Sequence, residues 1–111
     1  MSVDPSQLAD LQGVCREARI ETDGQYTLVY LAELRFRAGS ETVVMDALLC
    51  PQEHSSYTTR LFLDRTVPTR GGQWTAHPFL GKQWQACSWQ NVPKDQPLLQ
   101  ILLQHLAAFK V

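Results

Sequence analysis

Two small groups of side chains in this 111-residue chain are of types that could do chemistry. The first is His77-Pro78-Phe79 followed by Cys87. A cysteine attacks as its thiolate, so it needs exposure and either a lowered pKa or a partner bearing a good leaving group. Cys87 stands in Trp84-Gln85-Ala86-Cys87-Ser88-Trp89, outside any clear helical or strand pattern, where a loop would present the thiol. His77 lies ten residues earlier and would line the same cleft. The competing reading is that Cys87 fills a gap between two tryptophans and His77 sits on the surface. The second group is Cys50-x-x-Glu53-His54, with His77 or His105 as a distant fourth member. Thiolate, carboxylate and imidazole all ligate zinc, and a loop after a strand is a usual place for them. Pro51 stands between Cys50 and His54, and no second close pair follows. A strand-end cysteine beside a solvated Glu-His turn therefore competes with the metal site. Apart from that zinc alternative, no cofactor is expected.

Three further features bear on these groups. His105 falls on the apolar stripe of a C-terminal helical pattern, where a histidine is most often a hydrogen-bonded core residue. Trp74, Trp84 and Trp89 either anchor an irregular segment to the core or form an exposed binding patch, with Trp84 and Trp89 nearest the thiol. Asp46 interrupts an otherwise apolar strand and needs a partner if buried; Arg60 on the adjoining strand is the expected one.

These residues need elements to hold them. Asp4-Pro5 opens a helix, with Asp as cap and Pro in the first turn. Leu8, Leu11, Val14, Cys15 and Ala18 recur at helical spacing, which places Cys15 in the core, and Asp23-Gly24 closes the unit. Tyr26 to Arg37 alternates as a strand, with Tyr26, Leu28, Tyr30, Ala32, Leu34 and Phe36 on one face. Ala38-Gly39-Ser40 is a hairpin turn. Thr42 to Cys50 reads as a central strand buried on both faces and stopped by Pro51, and Tyr57 to Asp64 reads as a third strand. Pro68 and Gly71-Gly72 break the chain, and Trp74 to Trp89 reads as irregular. Asp95-Gln96-Pro97 opens a last helix with Leu98, Ile101, Leu102, His105 and Phe109 on its inner face. The expectation is one α+β domain over residues 1–111, an antiparallel meander of three to four strands packed between an N-terminal and a C-terminal helix. That order excludes alternating βαβ folds and their crevice sites.

The order helix, meander, loop, helix, with His77-Pro78 before Cys87, resembles the ubiquitin-conjugating (UBC) fold. In that family a His-Pro-Asn tripeptide precedes the catalytic cysteine at a similar distance, and helices follow. Phe79 stands in the place of the asparagine and supplies no donor to an oxyanion. The runs Met45-Asp46-Ala47-Leu48-Leu49-Cys50-Pro51, Tyr57-Thr58-Thr59-Arg60-Leu61-Phe62 and Trp84 to Trp89, ending in His105-Leu106, are similar to small bacterial relatives of that superfamily. Those relatives belong to ubiquitin-like modification systems, beside an activating enzyme and a deconjugating metalloprotease. The resemblance implies a protein that carries a ubiquitin-like protein as a thioester on Cys87, or a non-catalytic relative that only binds one. Its partners would be the ubiquitin-like protein and its activating enzyme. A metal-binding family of the same operons is similar to the Cys50, Glu53, His54 set in residue type and order.

Bulk properties narrow the remaining classes. Ten basic against eleven acidic residues leave a net charge of -1, and the basic residues form no stripe, which argues against nucleic acid or an anionic membrane as partner. No run approaches the roughly 18 apolar residues of a membrane span. Three widely spaced cysteines and a start without an export pattern point to reduced thiols and a cytoplasmic protein. No Gly-rich phosphate loop, Gly-x-Ser-x-Gly elbow or His-Glu-x-x-His helix is present.

Overall fold

The computed structural model describes residues 5–54, 57–67, 74–87 and 92–109. Asp4, Pro68, Gly71, Gly72 and Trp89, to which the sequence reading gave roles, lie outside them. Two helices, α1 (Pro5–Gln12) and α2 (Leu98–Leu106), accompany six strands: β1 (Glu17–Asp23), β2 (Tyr26–Ala38), β3 (Glu41–Cys50), β4 (Arg60–Leu63), β5 (Trp74–Phe79) and β6 (Lys82–Cys87). All strands pair antiparallel in one sheet of order β1-β2-β3-β4-β6-β5. The α+β class and the antiparallel meander stand as expected. The strand count does not: the described residues form six strands, not three or four.

Both additional regions escaped for physical reasons. The stripe from Leu8 to Ala18 is not one helix. The helix stops at Gln12, before Gly13, whose freedom as an unfolded residue disfavours continuation. Leu11 and Cys15 are buried, but Val14 is exposed and Ala18 belongs to β1. As a charged edge strand, β1 carries little apolar alternation, which also guards its open edge. The hairpin β5–β6 occupies the region read as irregular. Pro78 disguises β5, yet β5 is the opposite edge of the sheet, where a residue without an N–H is tolerated. Leu80 and Gly81 both have positive φ in the two-residue turn between these strands, the geometry that suits a right-twisted hairpin.

A second correction concerns the faces of β2. The register of β2 on β3 slips between Leu31 and Leu34, at a bulge in which Glu33 has φ 52°. Because side chains alternate with period two, the slip moves everything beyond it to the other face. Tyr26, Leu28 and Tyr30 therefore belong to one side of the sheet, while Leu34, Phe36 and Ala38 join Val29 and Leu31 on the other.

The two faces carry separate cores. One holds Leu11 of α1, the inner residues of α2, and Val29, Leu31, Ala47, Leu49, Leu61 and Leu63 of the sheet. The helices thus share one face, instead of sandwiching the sheet, and Gln7 of α1 accepts the first free N–H of α2, from Leu98, at 3.0 Å. The opposite face gathers Leu28, Leu48, Cys50, Phe62, Phe79, Trp84 and Ala86, and among the described residues no helix packs over it. It is covered by curling of the sheet. The Asp23 carboxylate, at the β1–β2 turn, accepts the Leu80 N–H, at the β5–β6 turn, at 2.8 Å, so the two ends of the strand order meet.

Candidate functional site

Cys87 ends β6 directly opposite Trp74, whereas His77 in β5 pairs with Trp84. The positions differ by an odd step along the hairpin, so the two side chains leave opposite faces. Cys87 packs half-buried against the helix-side core. The His77 ring lies on the other face, 5.0 Å from His54 and 5.5 Å from Phe62 between ring centroids. The expected loop cleft shared by thiol and imidazole does not exist: Cys87 is in a strand and His77 is on the far side of it. Phe79, in the asparagine's place, is buried in the aromatic cluster.

Trp84 is not a contact surface for a partner. It is fully enclosed, donates its indole N–H to the Phe79 carbonyl at 3.1 Å, takes the Tyr30 ring edge-on and carries the Lys82 ammonium over its face. It anchors the hairpin to the core, the alternative weighed from sequence.

The Cys50, Glu53, His54 set is also dispersed. Cys50 is buried in the sheet, with its thiol donating to the Gln52 carbonyl at 3.4 Å and pushed up to about 11 by burial. Glu53 is exposed. The His54 ring turns into the aromatic cluster against Tyr26, Phe62 and Phe79, while its backbone pairs with Tyr57. Among the described residues, no three His, Cys, Asp or Glu side chains stand together as a metal would require.

His105 is a core residue, as expected. The Thr59 hydroxyl donates to the Val92 carbonyl at 2.9 Å and so has no second proton to give; at 2.9 Å from His105 Nε2 it must accept. That assigns the Nε2–H tautomer, and burial holds the imidazole down to about 4.

The expected Asp46–Arg60 pair is absent. Asp46 receives the Tyr30 hydroxyl at 2.5 Å and the Glu33 N–H at 2.8 Å. Burial pushes its carboxyl up, but these hydrogen bonds and the charges of Lys82 and Arg19 outweigh it and hold the group below its ordinary value. Tyr30 is pushed up to about 12, first by burial and then by Asp46. Arg60 is only 4% exposed, and its guanidinium makes no hydrogen bond or ion pair among the described residues. Its guanidinium lies 4.1 Å from the Tyr57 ring centroid and 5.7 Å from that of Phe62. Burial lowers its pKa, and so do those of His54 and His77 fall, through burial first and then neighbouring positive charge. Burying an ion costs several kcal/mol, whereas a cation–π contact returns about 0.5–2 kcal/mol. Stacking alone does not offset the burial of this charge. The Arg60, His54, His77 grouping was invisible in the sequence, because only the curled sheet brings β4, β5 and the turn before β4 together.

No protein-family model matches the chain, and no curated protein or solved structure is significantly similar to it. The geometry stands on its own. Among the described residues no helix is long and apolar enough to cross a membrane.

Proposed function

We propose that this chain is a non-catalytic interaction module with a UBC-like fold, binding a ubiquitin-like protein or its activating enzyme in a bacterial modification pathway. The order supports it: α1, a four-strand meander β1–β4, then α2. In place of the family's tripeptide and cysteine loop stands the hairpin β5–β6. The observation that carries the non-catalytic reading is the opposed facing of His77 and Cys87. Cys87 sits in a strand against the helix-side core and His77 faces the other side of the sheet, so this imidazole is not placed to assist attack on, or departure from, a thioester at that thiol. Chromatography with the ubiquitin-like protein and activating enzyme of such a pathway should show a complex that persists in Cys87→Ala, with no thiol-sensitive adduct when ATP is added. An adduct that forms in the wild type, dissolves with reductant and disappears in Cys87→Ala would overturn this reading.

One observation favours the second reading, a thioester carrier. Cys15 and Cys50 are buried and Cys87 is not, so any carrier thiol would be Cys87. The same adduct experiment separates the two.

A further inference from the structure

We propose that the sheet face opposite the helices binds a small oxyanion, a phosphate or carboxylate group, on the Arg60 guanidinium beside the His54 and His77 imidazoles. The site is independent of any role in conjugation. Three basic side chains surround one Phe62 ring: the guanidinium carbon lies 5.7 Å from its centroid, and the His54 and His77 ring centroids lie at 5.2 and 5.5 Å. Among the described residues no carboxylate neutralises them. The titratable groups that interact with the Arg60 charge are Tyr57, Cys87, Cys50 and the histidines His54, His77 and His105, none of them a carboxylate. Asp46 is committed to Tyr30 and Glu33, Asp64 to Lys82, and Asp23 to the Leu80 N–H.

The geometry of Arg60 suits an anion in particular. The guanidinium carbon lies 4.1 Å from the Tyr57 ring centroid, and among the described residues no acceptor takes any of its five N–H donors. A phosphate or carboxylate takes such a fork through two parallel hydrogen bonds. His54 adds a second unmet demand: its Nδ1 is the buried side-chain nitrogen that lacks any partner among the described residues. In the Nδ1–H tautomer or the imidazolium it is a donor for which the described residues supply no acceptor. An open groove of about 430 Å³ between the β1–β2 and β5–β6 turns leads to the His54 ring.

The test uses the whole chain. Inorganic phosphate and, separately, acetate are titrated at constant ionic strength made up with chloride, following the His54 and His77 ring resonances and the thermal midpoint. The expected result is saturable movement of both rings and a rise in midpoint that chloride does not reproduce. The stronger of the two titrations tells whether the site prefers a tetrahedral or a planar group. Arg60→Met should abolish the response, and Arg60→Lys, which keeps the charge but loses the fork, should weaken it roughly ten- to a hundredfold. A wild-type protein whose rings and midpoint ignore both anions overturns the proposal, whatever the variants do. So does a folded Arg60→Met that responds like the wild type, which would place the anion elsewhere.

Discussion

His105 shows how one buried side chain ties three segments together. Its Nε2–H reaches Thr59, whose hydroxyl in turn holds the Val92 carbonyl ahead of α2. The imidazole is neutral when folded, titrating at about 4 against an ordinary 6.5. Between those values the unfolded chain binds a proton that the folded chain refuses. Stability is therefore fully present above about pH 6.5 and lost as pH falls toward 4, by roughly 3 kcal/mol. His54 and His77 are shifted in the same direction and add to the loss. Denaturant titrations from pH 8 to 4.5 should show this slope, and His105→Gln, which can keep a donor to Thr59, should flatten much of it. A variant with the wild-type slope would mean that other groups carry it. Trp84→Phe tests the opposite face. It removes the hydrogen bond to Phe79 and leaves a void, so a loss of about 2–3 kcal/mol is expected by the same titration at neutral pH.

At the scale of elements, the β2 bulge decides which side chains enter which core. Glu33 holds a positive φ that a non-glycine residue adopts at a cost of about 1 kcal/mol, and its N–H is satisfied by Asp46. Glu33→Gly should accordingly raise stability by about 0.5–1 kcal/mol, since this side chain is exposed and its loss removes strain alone. Asp46→Ala should lower it by about 1–3 kcal/mol, because the bulge N–H and the Tyr30 hydroxyl both lose their acceptor. If the two substitutions shift the unfolding midpoint in the same direction, the bulge is not held in this way. The β5–β6 hairpin is stabilised differently, by its Leu80-Gly81 turn and by burial of Phe79 and Trp84, and less by its pairing with β4.

The whole molecule separates its three thiols by burial. Cys15 donates to the Ala32 carbonyl at 3.2 Å and is raised by burial, and Cys50 is pushed up to about 11. Thiolate is the reacting form, so both should resist alkylation while the protein is folded. Mass spectrometry after brief treatment with iodoacetamide should find the label on Cys87 in the native protein and on all three cysteines in denaturant. Native labelling of Cys50 at the rate of Cys87 would show that the aromatic face opens far more readily than its packing implies.

What the chain determined by itself is the part encoded in local pattern. The strand character of β2 and β3, the breakers at Gly39 and Pro51, the amphipathic α2 with His105 facing inward, and the α+β class follow from local pattern alone, because each rests on neighbours within a few residues. The edge strands did not, since β1 is too polar to alternate visibly and Pro78 masks β5. The candidate site was legible only as residue types. Whether His77 meets Cys87 is fixed by strand parity, and that could not be read before the hairpin was known. Whether Arg60 finds Asp46 turned on the register of β3 on β4, which sets Arg60 opposite Cys50, four residues from Asp46. The meeting of His54, His77 and Arg60 depends on long-range curling of the sheet, in which the strand ends touch through Asp23 and Leu80. No spacing along the chain records that closure, because it is set by the sum of twists across six strands.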